Sequence, residues 1–339
     1  MLLDIRDLKV RYATGQGIVK AVDGVSLSIA ENEVLGIAGE SGCGKTTLIK
    51  ALMRLLPGTA TTTAERLFFK GRELQTLSDR DFRKQILWNE ISLVPQSAMN
   101  SLDPVYRVGD QVVEAIRAHI DTPRREARDR VAHLFDAVGL QTGLMDNYPH
   151  EFSGGMRQRA MIAMALALEP SLIVMDEPTT GLDVLVQERI IRKLLEIRSE
   201  IESSILLITH DISVIAEMSD RIGIMYAGRL MELAAAEDLF DTPWHPYTLG
   251  LKNAFPSIQA IDRELISIPG SPPNLLGDLP GCTFNGRCPF AVPACAAERP
   301  LDTDVGPGHR VSCHRLDDVE SMRARASEKM TWQSSKSAA

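Results

Sequence analysis

Three short segments of this 339-residue chain carry residue types that suit phosphate chemistry. Residues 39–46 read Gly-Glu-Ser-Gly-Cys-Gly-Lys-Thr and fit the pattern G-x-x-x-x-G-K-[ST]. Residues 153–155 read Ser-Gly-Gly, and residues 172–177 are an apolar run that ends in two carboxylates. The first segment is a phosphate loop, so the chain is predicted to bind and hydrolyse a nucleoside triphosphate.

The phosphate loop is expected to hold a nucleotide mainly with its backbone. N–H groups from Gly42 to Lys45 would point at the β- and γ-phosphates, because glycine lets the backbone approach oxygen closely and a helix follows. The Lys45 ammonium would neutralise these oxygens, and the Thr46 hydroxyl would bind Mg²⁺. The predicted nucleotide-binding set here is Gly39, Ser41, Gly42, Cys43, Gly44, Lys45, Thr46 and Thr47.

The two carboxylates follow a predicted strand and could act on the same phosphates. Asp176 is expected to reach the magnesium shell, and Glu177 to orient and polarise the attacking water. Phosphoryl transfer depends mainly on positioning and charge stabilisation, so one base with Mg²⁺ and Lys45 suffices.

The elements that position these residues follow an α/β rhythm. A buried strand at residues 34–38 leads into the phosphate loop, and helical spacing resumes at Thr46. The first thirty residues alternate as strands do, and residues 97–152 have helical spacing. After the Ser-Gly-Gly segment, strands are predicted at residues 172–175, 205–209 and 222–226. This order predicts a mainly parallel sheet with a helical insertion.

Composition narrows the classes of protein. The net charge is −8, from 37 basic and 45 acidic residues, so the composition shows no excess of basic residues for binding nucleic acid. The sequence shows neither an apolar run of membrane-spanning length nor the apolar core of a signal peptide, so the chain is expected to be cytosolic. Four of its five cysteines fall between positions 282 and 313, which in a cytosolic chain favours metal or cluster ligation over disulfides.

In this order, the motifs resemble the ATP-binding subunits of ATP-binding cassette (ABC) transporters. The resemblance implies that Gln96 touches Mg²⁺ and the water, and that His210 contacts the γ-phosphate. It also implies that Tyr12 stacks on adenine. Residues 178–183, which end in Asp183, resemble the inter-subunit loop of that family. Cys43 is interpreted as a small filler where serine often stands.

The Ser-Gly-Gly segment implies a dimer. Ser153 looks like a helix N-cap, which leaves the N–H groups of Gly154 and Gly155 for an anion. In the family, this segment binds the γ-phosphate held by the opposite subunit. The resemblance therefore implies a second, related ATPase subunit. A heterodimer with this chain is expected, and a homodimer is the alternative.

The region after about residue 235 resembles one branch of this family in particular. His245-Pro246-Tyr247-Thr248 and the spaced cysteines look like the C-terminal extension of dipeptide, oligopeptide and nickel importer ATPases. Some members of that branch hold a [4Fe–4S] cluster. Four thiolates on a proline-rich loop suit such a cluster or zinc, and free or redox-active thiols are the third interpretation. The four residues are Cys282, Cys288, Cys295 and Cys313.

The predicted fold is an α/β P-loop NTPase of ABC type, with an N-terminal antiparallel β portion, a helical insertion subdomain and a loop-rich C-terminal extension. The predicted nucleotide-binding domain spans residues 1–235, with its helical insertion at about 97–168. The extension covers 236–325 and is predicted to contain one or two helices at 237–251. Its segment with the four cysteines is expected to have too few apolar residues to hold itself together. Residues 326–339 are predicted to be a disordered tail.

The resemblance implies an ATP-hydrolysing subunit that powers import of di- or oligopeptides. Its partners would be two transmembrane permeases and an extracytoplasmic solute-binding protein, with no nucleic acid. The chain would lie at the cytoplasmic face of the inner membrane, bound through the permeases. Nickel, oligosaccharide or opine cargo is the alternative, and a non-transport ABC ATPase is a further one.

Overall fold

The computed structural model of the chain describes residues 1–96, 101–200, 202–254 and 266–333. It divides into two compact units. The first unit comprises Met1–Asp4, Ser28–Val34 and Leu67–Thr209, and the second comprises Ile5–Leu27, Leu35–Arg66 and His210–Ala339. The beginning of the predicted insertion, at residues 97–100, and the end of the predicted tail, at 334–339, lie outside the described residues.

The secondary structure alternates strands and helices for most of the chain. The strands are β1 (Leu3–Thr14), β2 (Gly17–Ile29), β3 (Val34–Ala38), β4 (Ala60–Thr63), β5 (Arg66–Phe69), β6 (Arg72–Glu73), β7 (Ile91–Val94), β8 (Leu172–Asp176), β9 (Ser204–Ile208), β10 (Arg221–Tyr226), β11 (Arg229–Ala235), β12 (Asp302–Gly306) and β13 (His309–Ser312). The α-helices are α1 (Lys45–Leu52), α2 (Asp79–Gln85), α3 (Val108–His119), α4 (Arg124–Ala137), α5 (Gly154–Leu166), α6 (Val184–Glu200), α7 (Ile212–Met218), α8 (Ala236–Asp241), α9 (Pro246–Ala254), α10 (Pro293–Ala297), α11 (Val319–Ala326) and α12 (Lys329–Gln333).

The first unit is built on three parallel strands. β7 pairs with β8, and β8 pairs with β9, in register from Leu172 against Ser204 to Asp176 against Ile208. Every residue of β8 and β9 is buried, which explains why both read as continuous apolar runs and not as an alternating pattern. The prediction of parallel strands here is confirmed.

Helices α3, α4 and α5 belong to the first unit, as do α2 and α6. Val112, Val113 and Ile116 form a buried stripe on α3, and Val131 and Phe135 form another on α4. Gly139 follows α4 with a φ of +70°, the left-handed conformation that favours glycine after a helix end. The helical spacing predicted between Gln96 and Ser153 is confirmed for these two stripes.

The second unit is also built on a sheet. β3 and β10 are parallel, with Gly36 beside Ile222, and β10 turns back antiparallel into β11. In a different sheet, β1 pairs antiparallel with β4, with Lys9 beside Thr63. None of the helices in the described ranges combines the length and the apolar content that a bilayer crossing requires.

The C-terminal extension is more regular than predicted. β12 and β13 form a hairpin, and β13 pairs antiparallel with β11, with Val311 beside Glu232. A two-stranded hairpin is marginal by itself in water, so these strands depend on the sheet edge that they extend. The extension was predicted to be loop-rich, but it also contains these two paired strands. Within the predicted helical stretch at 237–251, two helices form, α8 and α9.

Buried apolar residues hold the extension together. Phe284, Phe290 and Met322 are all buried, so the expectation that this region lacks a core is wrong. Trp332 on α12 is also fully buried, and its Nε1 donates to the Ala326 carbonyl over 2.9 Å. The predicted disordered tail is thus helical at residues 329–333 and packs through Trp332, because the single indole buries a large apolar area that composition does not reveal.

Candidate functional site

The phosphate loop lies in the second unit, between buried strand β3 and helix α1. Gly39 and Gly44 both have positive φ, at +153° and +107°. A Cβ at Gly39 would lie 2.1 Å from the Met225 carbonyl oxygen, and one at Gly44 would lie 2.2 Å from that of Ala21. Both positions therefore require glycine, because a side chain would collide with backbone.

Lys45 is the first residue of α1, and its side chain folds along the loop. Its Nζ donates to the carbonyl oxygens of Gly39 over 2.7 Å and Glu40 over 3.1 Å. It also lies 3.6 Å from the Cys43 Sγ. Burial raises the pKa of the Cys43 thiol, which fits its interpretation as a small filler. The ammonium is therefore held within the loop that is predicted to bind phosphate.

The remaining candidates of the second unit occupy the positions expected from the sequence. Thr46 and Thr47 are half-buried in the first turn of α1. Tyr12 is half-buried on β1, opposite Ala60 of β4. His210 is exposed after β9, and the next residue, Asp211, caps α7 by accepting from Ser213 N–H over 2.9 Å.

In the first unit, Glu177 is brought together with Gln96. The Gln96 Nε2 donates to the Glu177 Oε2 over 2.7 Å, although 81 positions separate the two residues. The Thr180 hydroxyl donates to the same oxygen over 3.0 Å. Sequence reasoning missed the contact of Thr180; the only available signal was its position three residues after Glu177.

The backbone at Glu177 is unusual. Its φ is +50°, a conformation that non-glycine residues adopt rarely and often at functional sites. Its N–H donates to the Ile208 carbonyl over 2.7 Å. The preceding Asp176 is buried at the end of β8. The backbone thus turns sharply where β8 ends, and the Glu177 carboxylate is held there by Gln96 and Thr180.

The Ser-Gly-Gly segment begins α5, as predicted. Ser153 is the N-cap, and its Oγ accepts from the Met156 N–H over 3.3 Å. Gly154 is the first helical residue, and a Cβ at Gly155 would lie 2.4 Å from Val186 Cγ1 of α6. Asp183 caps α6, since its Oδ1 accepts from the Val186 N–H over 3.0 Å. These two predicted residues therefore begin two helices that meet at Gly155.

The four clustered cysteines are free thiols within the second unit. The Cys282 N–H donates to the Cys295 carbonyl over 2.8 Å, and the Arg315 N–H donates to the Cys313 Sγ over 3.4 Å. Burial raises the pKa of Cys288, and the charges of the other three thiols raise it further, so all four lie within electrostatic range. Among the described residues, no three His, Cys, Asp or Glu side chains are placed to hold one metal ion.

The residues His245 and Tyr247, noted in the sequence for their family pattern, are structural in this fold. The His245 ring is buried, which lowers its pKa to about 4, and its Nδ1 accepts from the Tyr247 N–H over 3.0 Å. Buried Glu232 accepts from the N–H groups of Trp244 and His245 and contacts His309 Nε2 at 2.8 Å. This carboxylate joins β11, the start of α9 and β13.

Family models match two parts of the chain. Residues 22–180 match the model described as "ABC transporter". Residues 231–295 match "Oligopeptide/dipeptide transporter, C-terminal region".

Individual proteins are similar over nearly the whole chain. The probable peptide ABC transporter ATP-binding protein y4tR of Sinorhizobium fredii is 42% identical, with 94% of this chain and 96% of the relative covered. The oligopeptide transport ATP-binding protein OppD of Escherichia coli is 42% identical over 93% of each chain. The dipeptide transport ATP-binding protein DppD of Bacillus subtilis is 41% identical, with 93% of this chain and 95% of the relative covered.

Solved structures agree with the fold. The ATP-binding cassette MJ0796, as a dimer in a post-hydrolysis state with ADP and Pi, is similar with a TM-score of 0.62 and 26% identity, covering 69% of this chain and 98% of that one. The cbiO1 protein of Clostridium perfringens has a TM-score of 0.61 and 28% identity, covering 70% and 90%. The predicted α/β P-loop NTPase fold of ABC type is confirmed. The chain belongs to the family of ABC transporter ATP-binding proteins, in the branch with the oligopeptide/dipeptide transporter C-terminal region.

Proposed function

We propose that this chain hydrolyses ATP to power the import of di- or oligopeptides through an ABC transporter. The observation that carries the hydrolytic part is the placement of Glu177, whose carboxylate is held by Gln96 and Thr180 beside buried Asp176. The cargo is supported by the similarity to proteins named for peptide, oligopeptide and dipeptide transport. That similarity, with the match over residues 231–295, favours peptides over nickel, oligosaccharide or opine cargo.

In the proposed mechanism, each residue has a distinct role. The Lys45 ammonium and the loop N–H groups bind the β- and γ-phosphates. The other residues of the phosphate loop that surround these phosphates are Gly39, Ser41, Gly42, Cys43, Gly44 and Thr47. Glu177 orients the water and accepts its proton, while Gln96 holds the Glu177 carboxylate in place. His210 contacts the γ-phosphate, and Tyr12 stacks on adenine.

The chain offers suitable ligands for Mg²⁺. Thr46 has a hydroxyl, Asp176 a carboxylate and Gln96 an amide oxygen, and this ion prefers oxygen ligands. When bound, it would neutralise charge on the β- and γ-oxygens.

We propose a dimer in which Ser153, Gly154 and Gly155 bind the γ-phosphate held by a second, related ATPase subunit. Ser153 is exposed at the start of α5 and caps the helix with its hydroxyl, which supports this role. Two permeases and an extracytoplasmic binding protein complete the transporter, and the chain lies at the cytoplasmic face of the inner membrane. We also propose residues 1–235 as the nucleotide-binding domain, with its helical insertion at about 97–168, and 236–325 as the extension.

Hydrolysis by the purified chain is expected to be slow and to rise with protein concentration, because Ser153 serves a site on another subunit. Ser153→Arg should block hydrolysis at the partner's site and leave ATP binding by this chain unchanged. Phosphate release measured over a concentration series, with ATP binding in parallel, checks both. The matched control is Ser327→Arg, because Ser327 is an exposed serine with no proposed role at a nucleotide site. Full-rate hydrolysis by a proven monomer would contradict the dimer.

We further propose that Cys282, Cys288, Cys295 and Cys313 bind a [4Fe–4S] cluster with a structural role. Four free thiols, one buried and three half-buried, support this, as does the N–H donated to the Cys313 sulfur, a type of contact that tunes iron–sulfur sites. The zinc alternative is weaker, because zinc sites commonly contain pairs of cysteines separated by two to four residues. No two of these four cysteines have that spacing.

Anaerobic purification should therefore yield about four iron and four sulfide per chain. Cys288→Ser should lose the iron and increase protease cleavage beyond Pro269, because one point that holds the segment is released. Cys43→Ser is the control and should keep the iron, since Cys43 lies in the phosphate loop. Stoichiometric zinc without iron would replace the cluster with a zinc site, and absence of any metal would leave only reduced structural thiols.

A further inference from the structure

The extension contacts the phosphate loop through one residue that no motif of the sequence singles out. Arg287 lies in a short 3-10 turn, Asn285–Arg287, immediately before Cys288. Its Nη1 donates to the Glu40 carboxylate over 2.8 Å, although 247 positions separate them. Glu40 follows Gly39 in the phosphate loop. An arginine from the cysteine segment is thus paired with the acidic side chain of that loop.

The Arg287 guanidinium also donates to three acceptors other than Glu40. Its Nε donates to the Pro269 carbonyl over 3.0 Å and its Nη2 to that of Ile268 over 3.2 Å. Its Nη1 also donates to the Tyr226 hydroxyl over 3.2 Å. The Arg287 side chain is only 8% exposed and that of Glu40 is 27% exposed, so water screens this pair less than it screens a surface pair.

The backbone of the same loop residue has a second partner from the extension. The Glu40 N–H donates to the Tyr247 hydroxyl over 3.1 Å. The Tyr247 ring packs against Tyr226 and Phe284, with ring centroids 4.7 Å and 5.2 Å away. Phe284 is two residues after Cys282. Both the side chain and the backbone of Glu40 are therefore positioned by residues of the extension and the adjoining strand β10.

A free carboxylate at Glu40 would oppose nucleotide binding, because it stands in the loop that binds phosphate. ATP carries several negative charges, and like charges held close together in a partly buried site repel each other strongly. Arg287 neutralises this carboxylate and keeps it turned toward the extension. The Lys45 ammonium, which lies against the Glu40 carbonyl, then remains the charge that faces phosphate.

We propose that Arg287 is a positioning residue for nucleotide binding, which holds the phosphate loop through Glu40 and cancels its negative charge. This inference rests on the proposed ATPase function. It gives the extension a part in the affinity for ATP, in addition to any structural role of its cysteines. Tyr247 supports the same loop by accepting its backbone N–H.

The test measures equilibrium binding of ATP and ADP to the full chain and steady-state hydrolysis by the assembled transporter. Arg287→Met is expected to raise the Kd for ATP about tenfold, because the Glu40 carboxylate, no longer neutralised, then repels the phosphates. The Kd for ADP should rise less, because ADP carries less charge. KM for ATP should rise in parallel, and kcat should stay within about twofold, since the water-activating residues are untouched.

Arg323→Met is a matched control. Like Arg287, Arg323 contacts one carboxylate, that of Glu320, and two backbone carbonyls, those of Thr242 and Pro243. It also stands over an aromatic ring, that of Trp244. Loss of general packing in the extension should affect both variants alike, whereas loss of charge cancellation at Glu40 should affect only Arg287→Met.

A substitution at Glu40 separates the effect of its negative charge on ATP binding from an effect on the fold of the loop. Glu40→Gln should bind ATP at least as tightly as the wild type, and Glu40→Gln combined with Arg287→Met should bind within about twofold of Glu40→Gln alone. A tenfold loss in Glu40→Gln, failure of the double variant to recover, or equal losses for ATP and ADP would overturn the inference. The wild-type chain failing to bind ATP would instead refute the proposed function.

Discussion

Replacing Glu177 with glutamine is expected to lower the rate of ATP hydrolysis at least about a hundredfold while ATP binding persists. The glutamine keeps the size of the side chain and can still meet the donors Gln96 and Thr180 through its carbonyl oxygen. It cannot accept a proton from the attacking water, and general bases contribute about a hundred- to ten-thousandfold to such steps. Lys45 and Mg²⁺ still bind the nucleotide, so the ATP-bound dimer should accumulate.

The measurement for Glu177→Gln is phosphate release at saturating ATP, with size-exclusion chromatography in the presence of ATP to detect the dimer. Glu90→Gln is the matched control. Glu90 is also a half-buried glutamate of the first unit, held by Lys70 and Ser171 at 2.7 Å and 2.8 Å, and it has no proposed role in hydrolysis. Wild-type phosphate release by the reconstituted transporter that carries Glu177→Gln would refute the role of Glu177 as the base.

Lys45→Ala is expected to weaken ATP binding itself. Hydrogen bonds to charged groups contribute about 1.5–3 kcal/mol, and each 1.4 kcal/mol corresponds to about tenfold in Kd. The Kd for ATP should therefore rise about 10- to 150-fold. Lys45 Nζ already lies against the loop carbonyls of Gly39 and Glu40, so the ammonium is in place to meet the phosphates of a bound nucleotide.

Titration with a fluorescent ATP analogue measures this change, and competition with unlabelled ATP confirms it. Lys50→Ala is the control, because Lys50 is an exposed lysine on the same helix α1 and should bind ATP as the wild type does. An unchanged Kd for Lys45→Ala would remove Lys45 from the nucleotide site. The two predictions also separate the roles, since Glu177→Gln should bind without turnover, whereas Lys45→Ala should bind poorly.

Several features of this protein could be predicted from short stretches of sequence. The glycines of the phosphate loop, the apolar run before Asp176 and the cap at Ser153 each specify their local geometry through nearby residues. Gly39 and Gly44 illustrate the reason, because the positive φ and the close backbone contact that they allow exclude other residue types. The strands β3, β8, β9 and β10 could be predicted because buried parallel strands read as continuous apolar runs.

The structure of the extension could not be predicted from short stretches of sequence. The hairpin β12–β13 has few apolar residues and depends on pairing with β11, which lies about seventy residues earlier in the chain. Trp332 stabilises a segment whose polar composition is typical of disorder, because a single large side chain can find a pocket that composition cannot reveal.

The family, the fold class and the types of residue that bind phosphate could be predicted from local motifs and their order. The distant side chains that contact these residues are known only from the packed fold. Gln96 meets Glu177, and Arg287 meets Glu40, across 81 and 247 positions. A hydrogen bond between remote segments leaves no periodic or compositional signal, since its partners become neighbours only when the sheets and helices between them have packed.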